Sequence, residues 1–193
     1  FSHSTLKIRD DEKIIINSLD LGEIIEFNEF RELLNYNGTF SLIVSLIKTI
    51  KPTFGFELYL HSDFPMNSGL GGSSVVCAAV LGCFNQFRRD QWNSHVLAEI
   101  AYQAERHYLG IDGGWQDQYA AVFGGFNFME FRMDQNIVHP LRIPHDVLLE
   151  LEASLVLCDT GTQHDSGDIH KDQRKQMQQV DIRQKVQSNV DLT

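Results

Sequence analysis

Apolar residues fall at Leu42, Ile43, Leu46, Ile47 and Ile50, the three-and-four spacing of a single helix face, and predict a helix over 41–50. The next segment, "FGFELYLHS" (54–62), changes period. Phe54, Phe56, Leu58 and Leu60 take one side and Glu57, Tyr59 and His61 the other, the alternation of a half-buried strand. Residues 73–87 are apolar nearly all round and read as a buried helix. "SHVLAEIAYQAERHYLG" (94–110) reads as a helix capped by Ser94 and stopped at Gly110, with Val96, Ile100, Ala104 and Tyr108 in one stripe. The short runs "KIIINS" (13–18), "GGFNFMEF" (124–131) and "ASLVLCDTG" (153–161) predict strands. From Lys171 onward Gln and charge dominate, which predicts an exposed helix that frays at Thr193. Helices and strands mixed in this way, with no internal repeat and no clear linker, describe an α+β fold.

Composition narrows the classes. A chain of 193 residues suits one domain, or one and part of another. Apolar residues make up 42% and charged residues 22%, the mix of a soluble globular protein. No apolar run is long enough to span a bilayer, and no basic start followed by an apolar stretch suggests a signal peptide. The net charge of −10 comes without any Lys/Arg block, which excludes a nucleic-acid footprint. Cys77, Cys83 and Cys158 are odd in number and flanked by apolar residues. They read as reduced core thiols of a cytoplasmic protein. The expected partners are therefore small molecules, neither nucleic acid nor membrane, with a homo-oligomer left open.

The candidate chemistry begins at "DFPMNSGLGGSSVVCAAVLGCF" (63–84), where a strand feeds a glycine turn and a helix leaves it. Gly69, Gly71 and Gly72 let backbone N–H groups approach a ligand, and Ser73 and Ser74 open a helix whose first N–H groups lack intrahelical partners. Such a turn is an anion cradle, with phosphate as the expected guest. It is not a Walker A loop, because no Lys follows the glycines, and it lacks the third glycine of G-x-G-x-x-G. A plain strand–helix connection is the competing reading of the turn alone.

A second segment, "AERHYLGIDGGWQDQYAAVFGGFNFMEF" (104–131), packs Glu105, Asp112 and Asp117 close to two glycine pairs. Glu105 lies at the edge of the predicted apolar stripe, so its carboxylate faces inward and needs a cation or donors. Asp117, between Gln116 and Gln118, is expected in a loop where side chains converge. Either carboxylate alone would read as a cap or a solvated loop residue. Trp115 either lines a ligand site or shields the loop. In "HDSGDIH" (164–170) a metal site competes with a helix cap at Asp165 or Ser166, and the cap is preferred because the spacing fits no zinc pattern. Arg88, Arg89 and the stretch from Lys171 to Lys175 read as solvated faces.

"PMNSGLGGSS" resembles the ATP-binding motif P-x-x-x-G-L-G-S-S of the GHMP superfamily, which includes galactokinase, homoserine kinase, mevalonate kinase and phosphomevalonate kinase. "GGWQDQYAAVFGGFNFMEF" and "LCDTGTQHDSGDIHKDQ" are similar, more narrowly, to the bacterial D-glycero-D-manno-heptose 7-phosphate kinases. The resemblance runs from about residue 5 to about residue 180, and 113–131 is its most specific part. It implies a GHMP-kinase-like α+β fold in which residues 1–150 form the N-terminal, ATP-binding domain, incomplete at its start. Residues 151–193 would then begin a truncated C-terminal domain. It implies phosphorylation of the anomeric hydroxyl of a heptose 7-phosphate with ATP and Mg2+, in nucleotide-heptose and surface-polysaccharide synthesis. Another sugar of fucose or galactose type, or a truncated non-catalytic chain that binds sugar or nucleotide, are the alternatives.

Carried over residue by residue, the resemblance gives Pro65, Ser68, Gly69, Leu70, Gly71, Gly72, Ser73 and Ser74 to the ATP phosphates. It gives Ser73 and Glu105 to Mg2+, and Asp117 to the sugar hydroxyl as the catalytic residue. Asp112, Gly113, Gly114 and Gln116 fall to the substrate. The family's first glycine-rich segment and its C-terminal glycine loop have no counterpart in the chain, so these residues alone are expected to be silent in catalysis. His164 stands where Arg is expected, and a histidine cannot offer a bidentate fork to a substrate phosphate.

Overall fold

A computed structural model describes residues 1–64, 68–158, 161, 172 and 175–191. Four strands make the main sheet: β1 (Ser2–Ile8), β2 (Ile14–Ser18), β3 (Glu23–Phe27) and β4 (Phe56–Ser62), in the order β1-β4-β2-β3. β4 is antiparallel to β1, from Ser2 opposite Ser62 to Ile8 opposite Phe56, and parallel to β2, from Ile14 opposite Phe56. Its alternation sends Phe56, Leu58 and Leu60 to one face, where Ile14 and Ile16 of β2 join them. Helices α1 (Ser41–Ile50) and α2 (Gly72–Gln86) cover that face with Ile43, Val44, Leu46 and Ile47, and with Cys77, Val80, Leu81 and Phe84. Phe56 meets Phe84 edge to face at 5.0 Å. The helix over 41–50, the strand ending at Ser62 and the helix after the glycine turn thus match their periodicities. Phe56→Ala should cost about 3–5 kcal/mol, read by denaturant unfolding, because both its sheet and helix contacts are lost.

The other face of β4 carries a carboxylate that is nearly inaccessible. Glu57 accepts from Tyr59 Oη at 2.9 Å, Arg9 Nη1 at 2.6 Å and Lys7 Nζ at 3.2 Å. Tyr59's hydroxyl, and then the two cations, hold the Glu57 carboxyl below its usual range.

The segment read as one helix over 94–110 is two pieces. α3 (Ser94–Gln103) is capped by Asn93, whose Oδ1 accepts from Val96 N at 3.0 Å, not by Ser94. A π-helical turn (Ala104–Tyr108) follows. α3 itself buries Ala98 and Ala101 and leaves Val96 exposed, and the wider repeat of the π turn then buries Ala104 and Glu105 and turns Tyr108 outward. After it come α4 (Gln116–Phe123), the hairpin β5 (Asn127–Phe131) and β6 (Asn136–Pro140), α5 (His145–Ser154) and α6 (Val180–Asp191). The strand expected over 153–161 is not formed in its described part. Residues 153–154 close α5, and Leu155, Val156 and Leu157 are exposed without a partner strand among the described residues. Cys158 is exposed as well, so it is no core thiol, whereas Cys77 is buried. Arg88 is not simply solvated either, because its guanidinium lies 4.0 Å over the Trp92 ring. The polar C-terminal stretch does form an exposed helix, α6, although Thr193 lies outside the described residues. No helix among the described residues is long and apolar enough to cross a membrane.

Candidate functional site

The glycine turn ends as its residue types require. Gly71 caps α2 in the left-handed region at φ 66°, where a side chain would be strained, and among the described residues no side chain caps the helix start. The first N–H groups of α2 therefore lie at an end with positive partial charge. Ser68, Gly69 and Leu70 are exposed, Gly71 and Gly72 half-buried, and Ser73 exposed at the helix mouth. Pro65 lies outside the described residues, as does the 164–170 cluster with His164.

Ser73 faces Glu105. Its Oγ donates to Glu105 Oε1 at 2.6 Å, and Ser74 Oγ reaches Oε2 at 3.5 Å. Glu105 is only 4% exposed, as the inward placement of a carboxylate on this helix edge predicts. The π turn aims it at α2. Gln118, fully buried on α4, donates its Nε2 to Glu105 Oε2. All three donors are neutral, so the carboxylate is solvated by protein dipoles rather than paired with a cation. Burial, and then the nearby Glu105 charge, push the Cys77 thiol well above the usual range, which marks it as inert packing beneath the site.

Asp117 is in a helix, not a loop. It occupies the first turn of α4, exposed beside exposed Gln116, with Gln118 turned inward to Glu105. Acidic residues suit that turn, because helix N-termini favour negative charge. α4 packs on α2 and α3, and Gln118 links the helix that carries Asp117 to Glu105 on the π turn. Asp112, Gly113 and Gly114 lie half-buried in the loop just before α4. That loop wraps the side chain of Arg106, whose Nη1 donates to the carbonyls of Ile111 and Asp112, both at 3.2 Å.

Trp115 stacks on Tyr102 with ring centroids 4.6 Å apart and lies 6.3 Å from Phe131, and with Glu99, Phe131 and Asn136 it lines an open cavity. Behind it Tyr119 Oη donates to Glu99 Oε1 at 2.8 Å, and burial pushes the Tyr119 hydroxyl up to about 12. Sequence reasoning missed Gln118 and Arg106. Their one signal was position: Gln118 adjoins Asp117, and Arg106 adjoins Glu105.

The oxygen pair of Ser73 and Glu105 fits a hard cation. Mg2+ typically takes one or two protein oxygens and fills the rest of its shell with phosphates and water. Among the described residues no group of three or more His, Cys, Asp or Glu could hold a metal by itself. A metal here would accordingly be shared with a phosphate ligand.

The chain itself is similar to known proteins. Residues 40–125 match the GHMP kinases N terminal domain. The chain is 41% identical over 177 residues to D-glycero-alpha-D-manno-heptose 7-phosphate kinase of Campylobacter jejuni, a match spanning 89% of this chain and 52% of that enzyme. It is 26% identical to glucuronokinase 1 of Arabidopsis thaliana, over 86% of this chain and 51% of the relative. Among solved structures, a D-glycero-D-manno-heptose 1-phosphate kinase from Bacteroides thetaiotaomicron superposes with a TM-score of 0.71 at 33% identity, covering 79% of this chain and 52% of that one. The chain thus spans about half the length of these relatives.

Proposed function

From the premise that this chain carries the N-terminal domain of the GHMP kinases, we propose that it holds the phosphate-gripping half of a sugar kinase. The reaction is transfer of the γ-phosphoryl group of ATP to the anomeric hydroxyl of D-glycero-D-manno-heptose 7-phosphate. The observation that carries this reading is the helix mouth at Gly71–Ser74 with Ser73 bonded to the buried Glu105. The 41% identity to a heptose 7-phosphate kinase supports the acceptor. Residues 1–150 are assigned to the N-terminal domain and 151–193 to the beginning of a second, a division that falls within α5.

The division of labour follows from the residues. The first N–H groups of α2 and the backbone of Ser68–Gly72 bind the nucleotide phosphates. Ser73 and Glu105 would hold Mg2+, which when bound neutralises charge on those phosphates. Asp117 takes the acceptor hydroxyl and aligns it. The anomeric oxygen forms its bond to the γ-phosphorus as the bond to the β–γ bridging oxygen breaks. ADP leaves with that electron pair, and the hydroxyl proton passes to Asp117 and on to solvent. Transfer of this kind passes through a loose transition state, so alignment and charge stabilisation do most of the work. A carboxylate is a weak base, which an anomeric hydroxyl tolerates because it is more acidic than an ordinary alcohol.

The test is ADP release by the full-length protein with heptose 7-phosphate, galactose and fucose offered in parallel. Release that depends on heptose 7-phosphate and exceeds that with the other two is the expected result. A preference for either unphosphorylated sugar would overturn the acceptor, and no sugar dependence at all would overturn the kinase reading.

A further inference from the structure

Arg106 adjoins Glu105 in sequence, yet its guanidinium meets backbone. Nη1 donates to the carbonyls of Ile111 and Asp112, both at 3.2 Å, and Nη2 to that of Gly114 at 3.3 Å. Nε is buried and has no partner among the described residues, and beside the three carbonyls the guanidinium faces the Tyr102 ring at 6.0 Å. The fit is close: a Cβ built on Gly113 would stand 2.3 Å from Nη2, so a side chain there would push the guanidinium from its present place. Ile111 N donates back to the Glu105 carbonyl at 3.3 Å and seals the base of the loop.

This arrangement has a consequence two residues farther on. The loop ends at Gly114, and α4 opens at Gln116 with Asp117 in its first turn. The peptide bonds among the described residues are trans, so carbonyls of Asp112 and Gly114 that turn in to Arg106 send the N–H groups of Gly113 and Trp115 the opposite way. One cation therefore sets both the path of the loop and the direction its amides present. At the far side Gln118 ties the same helix start to Glu105. Asp117 sits between these two fixings.

We infer that Arg106 is the positioning residue of this site. It sets the place of Asp117 relative to Glu105 through the 111–114 backbone, and touches neither nucleotide nor acceptor. The inference rests on the kinase reading above and names the part that holds its two carboxylates in register. A lysine cannot replace it, because a compact ammonium does not span three carbonyls in a fork.

The experiment uses the full-length protein with Arg106→Ala, Arg106→Lys, Gly113→Ala and the double variant Arg106→Ala/Gly113→Ala. Arg106→Ala should lower kcat by about 100-fold, the loss typical of a misplacement near 1 Å, and leave ATP affinity unchanged. Added guanidinium ion should restore part of that rate, and Arg106→Lys should not. Gly113→Ala should behave like Arg106→Ala, and the double variant should lose no more than either alone, because both break one contact. Wild-type kcat in Arg106→Ala, an equal loss of ATP affinity, or full additivity in the double variant would each overturn the inference. Amide hydrogen exchange over 111–117 is read on the same proteins. Faster exchange in Arg106→Ala supports the inference and unchanged exchange overturns it, even if the wild type releases no ADP with any sugar and the kinase reading itself fails.

Discussion

Asp117→Asn should lower kcat by about 10²–10⁴-fold, the range for loss of a positioned acid–base group, while ATP binds as before. Asparagine keeps the size of the side chain and removes the charge and the second acceptor oxygen. The acceptor hydroxyl then loses the group that aligns it and takes its proton. Nucleotide affinity should be spared, because the phosphates are assigned to the α2 mouth and Asp117 stands exposed on α4. Folding should be spared too: it is Gln118, not Asp117, that is buried and bonded to Glu105. Steady-state kinetics and a nucleotide titration on one preparation separate these effects. A variant that turns over within tenfold of wild type removes Asp117 from the chemistry.

Glu105→Gln should act on metal-dependent use of ATP and carry a folding cost. The native carboxylate accepts from Ser73 Oγ, Ser74 Oγ and Gln118 Nε2, all neutral donors. A glutamine keeps one acceptor oxygen for Gln118 and must turn its NH2 to a serine, whose hydroxyl then accepts instead of donating. Exchanging hydrogen bonds to a charged acceptor for neutral ones costs about 1 kcal/mol, readable in a denaturant midpoint. The larger effect is on kcat/KM for ATP at limiting Mg2+, which should drop by about 10²–10³, the scale for losing a group that stabilises developing charge. Chelating the metal should abolish the difference between wild type and variant in ATP binding. If excess Mg2+ rescues nothing and affinity for the sugar falls instead, Glu105 belongs to the acceptor side.

Legibility followed the kind of constraint each residue obeys. The helix over 41–50 was readable to its ends because Ile43, Leu46 and Ile47 are buried by the spacing that marks them. β4 was readable because Phe56, Leu58 and Leu60 alternate. β1 was not, since "SHSTLKI" is held to β4 by backbone pairing and carries few apolar side chains. The π turn after Gln103 was invisible because the sequence pattern presumes a 3.6-residue repeat, and one widened turn moves Tyr108 outward. The run 153–161 has the composition of a strand, but a strand needs a partner, and Leu155–Leu157 lie exposed after α5.

At the candidate site, the inward Glu105 and the helix mouth at Ser73 were readable from position and residue type. Their partnership was not, because it joins residues 32 apart in the chain. Gln118 and Arg106 were silent for a related reason. A buried polar side chain is defined by what it meets, and the three carbonyls around Arg106 belong to a loop that carries no side-chain signature.

The central claim is that the α2 mouth, Glu105 and Asp117 together move the γ-phosphoryl group onto an anomeric oxygen. Phosphorus NMR of the full-length protein with Mg2+, ATP and heptose 7-phosphate tests it most directly. The account predicts a second sugar phosphate resonance with coupling to the anomeric proton, growing as ADP appears and absent with Asp117→Asn. ADP that accumulates with inorganic phosphate alone, or a new ester on any other hydroxyl, would contradict it.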